Sequence, residues 1–160
     1  MKKLTLLAAA FGLAVAAHAQ APLGLPVKAL GYDAAWNQVT GRIGLGDNAN
    51  LDVGVNLGYN DLAPSDKFGF GVSAIYLANL HNWGPVSTHL ALGGNLGKAI
   101  GNSDLGVKAL AAFQPEVLLL DRILLSTRFG WELDVLPDVM LATVGQGVSI
   151  VSGASFKIVF

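Results

Sequence analysis

The segment from Leu51 to Asn60 alternates without a break: Leu51, Val53, Val55, Leu57 and Tyr59 share one face, Asp52, Gly54, Asn56, Gly58 and Asn60 the other. A two-residue period belongs to a β-strand, whose successive side chains leave opposite faces. A register slip of one residue would exchange the whole apolar set for the polar one. Ile123 to Val135 repeats the pattern, with Ile123, Leu125, Thr127, Phe129, Trp131 and Leu133 against Ser126, Arg128, Gly130, Glu132 and Asp134. The same alternation runs through Val39 to Gly46, 67 to 80, Val86 to Lys98, Leu105 to Phe113 and the terminal stretch Gly147 to Phe160. Turn chemistry separates these runs at Asp47 to Asn50, Ala63 to Asp66, His81 to Pro85, Gly101 to Asp104 and Asp121-Arg122. With the poorly alternating Val27 to Asp33 as the first strand, the count is eight. Pro115 cannot donate to a ladder, so we expect a strand end near Gln114 or a bulge there. The following run, Val117 to Leu125, reads as a short helix or a protruding hairpin.

The chain opens with Met1-Lys2-Lys3, an apolar run from Leu4 to Ala17 and a small-x-small site at Ala17-His18-Ala19, the layout of a cleavable signal peptide. We therefore expect residues 1–19 to be removed and one domain to occupy 20–160. The apolar run is shorter than the roughly 20 residues a membrane-spanning helix needs. Losing Lys2 and Lys3 takes Lys plus Arg from 10 to 8 against 11 acids, a net charge of about −3 that offers nucleic acid no attraction. Cysteine is absent, so an exported fold of this sequence is held without disulfides. Charged residues are 13% of the chain, against about 25% in soluble domains. No later apolar stretch is long enough to span a membrane as a helix, so a membrane location requires closed β-structure.

Side-chain size orients the faces. One face is bulky on nearly every strand, whereas the other carries Gly44, Gly54, Gly58, Gly69, Gly71, Gly93, Gly97, Gly130 and Gly153. An eight-stranded barrel is only just wide enough to be filled by side chains, so the small-residue face belongs inside and the bulky face outside. The expected fold is all-β: an eight-stranded antiparallel up-and-down transmembrane β-barrel. The final run places Phe156, Ile158 and Phe160 on the apolar face and ends on the terminal aromatic carboxylate. In this pattern the chain resembles small bacterial outer-membrane β-barrels, the OmpA transmembrane domain and OmpX among them. The resemblance implies export to the outer membrane of a Gram-negative bacterium. It also implies contact with outer-membrane lipid, and a terminal strand (Phe156, Ile158, Phe160) read as an assembly signal by the barrel-insertion machinery. With both ends periplasmic, the tight turns fall inside and the longest connection, Leu136 to Gln146, outside. Tyr59, Phe68 and Trp131 would then form an outer aromatic girdle, and Tyr76, Trp83 and Phe160 an inner one.

The inward set carries Arg42, Lys108, Arg128 and Lys157 against Asp52, Glu116, Glu132 and Asp134. A balanced set in a narrow lumen predicts paired charges that plug it, because unpaired buried charge is costly. Lys157 is expected to face Glu132 or Asp134. Three functions follow: a structural or surface-interaction protein of the envelope, a narrow porin-like channel, or, with the faces reversed, a soluble periplasmic lipocalin-like barrel carrying an apolar ligand. No catalytic, cofactor or metal motif is present. His89 faces inward and His81 lies in a turn, and neither has the sequence spacing of a triad or a metal site.

Overall fold

The computed structural model describes residues 27–61, 67–102, 104–136 and 148–160. The expected signal peptide, the loop around 63–66 and the connection from 137 to 146 lie outside the described residues. Eight strands follow one another: β1 (Val27–Asp33), β2 (Gln38–Gly44), β3 (Ala49–Tyr59), β4 (Phe68–Trp83), β5 (Val86–Lys98), β6 (Gly106–Leu119), β7 (Ile123–Leu136) and β8 (Val148–Val159). Each pairs antiparallel with the next, and β1 pairs with β8, so the sheet closes into a barrel.

Two local features differ from the sequence expectation for a backbone reason, and a third, the run from Val117 to Leu125, takes the hairpin form of its two expected alternatives. Pro115 sits inside β6 with no bulge. The pairs Phe113↔Phe129 and Glu116↔Ser126 keep one register on either side of it, and between them Gln114 and Pro115 lack a β7 partner. The run Val117 to Leu125 is strand, turn and strand. Leu120 and Asp121 both have positive φ, and the Arg122 N–H donates to the Leu119 carbonyl at 3.1 Å, the sign pattern of a type I′ hairpin. The turn expected over His81 to Pro85 contracts to Gly84-Pro85, since β4 continues to Trp83. Gly84 at φ 61 followed by a proline, whose φ is fixed negative, meets the requirement of type II′. The poor alternation of β1 also has a cause: the register shifts between Val27 and Ala29, so Lys28 is an extra residue, and its side chain lies over Gly44.

The register sets the barrel's shape. Leu30 pairs directly with Ile158. Followed the other way round, through Gly41, Val53, Ala74, Gly94, Ala109 and Leu133, it reaches Val148, ten residues earlier on β8. A ten-residue stagger at about 3.3 Å per residue, over eight strands about 4.8 Å apart, tilts the strands by about 40°. The interior is inverted relative to a soluble protein. Among the described residues, buried positions include 15 polar or charged side chains and only 7 apolar ones, while Leu57, Phe129 and Trp131 are exposed. The buried apolar group, Ile75, Leu77, Ala91, Leu110 and Ala112, lines the lumen on β4, β5 and β6. The buried acids and most of the buried cations stand on the other strands, with Glu116 and His89 reaching in from this side.

Two outcomes check this architecture. The cross-strand pair Tyr32→Cys with Phe156→Cys should oxidise to a disulfide, read by mass spectrometry as loss of both thiols. Tyr32→Cys with Tyr76→Cys, on distant strands, should retain them; free thiols in the first pair would mean β1 and β8 do not meet. Leu120→Asn should raise unfolding resistance by about 1 kcal/mol, because asparagine tolerates the left-handed conformation that costs leucine about that much.

Candidate functional site

The lumen holds one connected set of polar side chains, and Arg42 is its centre. Arg42 and Asp52 are register partners on β2 and β3. The Arg42 Nε donates to Asp52 Oδ1 at 2.7 Å and Nη2 to Asp52 Oδ2 at 2.9 Å. On its other edge Nη1 donates to Glu116 Oε2 at 2.7 Å and Nη2 to Glu116 Oε1 at 2.6 Å. Glu116 stands on β6, four strands from β2 in either direction round the barrel, so the guanidinium ties opposite walls. Such charge-assisted, two-pronged bonds are the strongest and most directional available to side chains.

The remaining members extend from this tie. Lys157 on β8 lies 3.0 Å from Asp52 Oδ2 and donates to Ser155 Oγ at 3.1 Å. Gln114 donates to Glu116 Oε1 at 2.7 Å and accepts from Arg128 Nε at 3.0 Å. Arg128 on β7 reaches Asp33 on β1 at 2.8 Å, and its guanidinium carbon lies 5.5 Å from the centre of the Trp36 ring, within cation–π range. Trp36, in the turn between β1 and β2, packs against the apolar wall and donates its indole N–H to Glu132 Oε2 at 2.6 Å. Lys108 completes the network at the end opposite the termini, 2.7 Å from Glu132 and 3.6 Å from Asp134. Room for the inserted turn comes from Gly153, where a Cβ would strike Ala35.

All eight charged residues read from the sequence therefore face the lumen and join one chain of contacts. The pairing of Lys157 differs from expectation. Lys157 lies opposite Leu124, whereas Glu132 lies opposite Ser149, eight residues further along β8, so Asp52 is its partner instead. Asp33, Trp36, Gln38, His89 and Gln114 belong to the same interior but were not in the expected set of charges. His89, given no partner by sequence spacing, has Ser87 Oγ and Glu116 Oε2 each 3.1 Å from its Nε2. Both meet the same ring nitrogen and Nδ1 is buried without a partner. A relay needs the base and its orienting acid on opposite nitrogens, so this trio has no nucleophile-activating geometry. Among the described residues no group of three or more His, Cys, Asp or Glu is placed to hold a metal.

On the outer surface Tyr59 and Phe68 are cross-strand partners at one end of the barrel, and Trp131 is exposed on β7. Tyr76 lies opposite Leu51, close to the other end, where Trp83 borders the β4–β5 turn. Phe156, Ile158 and Phe160 point outward, and the Phe160 N–H donates to the Lys28 carbonyl at 3.1 Å. A cavity of about 510 Å³ opens at the end opposite the termini, bounded by Trp36, Asn56, Asn95 and Lys108. No protein-family model, curated protein or solved structure matches this chain.

Removing the central cation strands two buried carboxylates. Arg42→Ala should lower stability in detergent by about 3–5 kcal/mol, the cost of breaking a buried pair from one side. Lys108→Ala, at the half-exposed rim, should cost less than about 1 kcal/mol. Urea unfolding followed by tryptophan fluorescence measures both, and equal losses would mean the network has no centre.

Proposed function

We propose that this chain is an integral outer-membrane β-barrel whose lumen is closed, serving the envelope as a structural or surface-interacting protein. The observation that carries the reading is the inversion of polarity. Lys157 is 1% exposed and Glu116 2%, while Leu57 is 64% exposed and Trp131 65%. Soluble monomers rarely leave apolar patches above a few hundred Å² in water, yet here apolar side chains encircle the barrel. A lipocalin-like carrier would require the reverse, an apolar interior under a polar surface. The outward parity carries no Lys or Arg along the strands except Lys98, the last residue of β5. A cation near the midplane of a bilayer would cost about 2–4 kcal/mol. The resemblance to the OmpA and OmpX type supports the same location, with outer-membrane lipid around the belt and the insertion machinery reading Phe156, Ile158 and Phe160. The Arg42 tie favours closure over conduction, since its partners across the lumen are almost wholly buried and the charges are matched in sign, whereas a selective pore is lined by a surplus of one sign.

Cell fractionation and gel mobility test the proposal together. The protein should sediment with the outer membrane, resist alkaline extraction, migrate differently before and after boiling, and give no conductance steps in a planar bilayer. Recovery in the aqueous periplasmic fraction would refute the membrane reading, and regular conductance steps would select the channel.

A further inference from the structure

The barrel wall is lower on one side. The β1–β2 hairpin makes its last pair at Asp33↔Gln38. β3 runs on from Asn56 to Tyr59 beyond its last β2 partner at Val55, and β8 extends back from Ala154 to Val148 beyond Ser155, its last β1 partner. Among the described residues no strand fills the gap between them. Four residues of a strand tilted by about 40° span about 10 Å of height, so a notch two strands wide opens about that far below the rim. Its sill is the turn Ala34 to Asn37.

Several backbone groups of that turn are satisfied by side chains of the barrel. Asp33 Oδ1 accepts from the Ala35 and Trp36 N–H groups at 2.9 and 3.3 Å, and Asn56 Nδ2 donates to the Trp36 and Asn37 carbonyls at 3.2 and 3.3 Å. Irregular backbone at membrane depth persists only where such groups are satisfied. Behind the sill lies the 510 Å³ cavity, bounded by Ala35, Trp36 and Asn37 of the turn and by Asn56, Leu57 and Gly58 of the unpaired β3 edge. Ala35, Trp36 and Leu57 give it an apolar border on this side, and Asn56, Asn95 and Lys108 supply polar groups to its lining. Asn56 Oδ1 stands beside Gly71 in the cavity wall, close to where a Cβ on that glycine would stand.

Resting on the membrane reading above, we propose that the notch is a lateral portal for an amphiphile of the outer leaflet. Its hydroxyl- or carbonyl-bearing head occupies the cavity against Asn56 and Asn95, and its acyl chain leaves over the sill beside Trp36. An apolar sill towards lipid and polar lining groups behind it match the two ends of such a molecule.

Tryptophan quenching by brominated lipid tests the portal. A variant carrying Trp83→Phe and Trp131→Phe keeps Trp36 alone, and one carrying Trp36→Phe and Trp83→Phe keeps Trp131 alone. Each is reconstituted in vesicles of phosphatidylcholine brominated in the upper acyl chain, and folding is checked by the mobility shift. The expected result is loss of fluorescence for Trp36 comparable to that of lipid-facing Trp131. Adding Gly58→Phe, which fills the mouth towards Ile100, should restore the Trp36 signal and leave Trp131 quenched. A bright Trp36 beside a quenched Trp131 would overturn the portal and leave the membrane reading standing, as would Trp36 quenching that Gly58→Phe does not change. Two unquenched tryptophans in folded protein would overturn both.

Discussion

The fork of Arg42 between Asp52 and Glu116 is the constraint from which the interior follows. A closed eight-stranded sheet leaves a lumen only just wide enough to be filled by side chains, and the charges that point in here are matched across it or along its wall. Arg42 does this with four bonds to two strands on opposite walls. Once Glu116 is held by Arg42, it also organises Gln114, and through it Arg128 and Asp33; once Asp52 is held, Lys157 has its place. A buried ion pair is weak evidence for net stability, since apolar residues of equal volume often serve as well. Its distinctive contribution is directional, because only one pairing of the strands brings these partners within reach.

The division of the lumen explains how a fully polar core is avoided. Ile75, Leu77 and Leu110 project inward from β4 and β6, towards the same interior as Ala91 and Ala112, with Gly93 opposite Ile75 in the register. Large and small residues alternate across this half and leave little need for hydrogen bonding. Trp36 closes the boundary between the halves, with its ring against the apolar wall and its N–H on Glu132.

Much of this was legible in the sequence, and the misses have identifiable sources. Leu51–Asn60 and Ile123–Val135 could be read because alternation there is unbroken, and the size asymmetry of the two faces assigned them correctly. Parity states only which side a residue faces. It could put Lys157 inside but not choose Asp52 over Glu132, because that choice depends on the stagger accumulated round the barrel. Asp33 was obscured by the extra residue Lys28, which breaks the alternation of β1. Trp36 lies in a turn, where periodicity has no meaning. Pro115 was expected to end or bulge its strand, yet the ladder to β7 tolerates two missing pairs and resumes in the same register.

The sequence distances within the network carry a kinetic consequence. Arg42 and Glu116 are 74 residues apart, Asp33 and Arg128 are 95, and Trp36 and Glu132 are 96. Contacts this remote form late, since the chain between them must first be ordered. Within the first three strands Arg42 and Asp52, ten residues apart, already pair, whereas Asp33 and the second edge of Arg42 wait for Arg128 on β7 and Glu116 on β6. Closing the wall between β1 and β8 and completing the network therefore draw on the same long-range contacts.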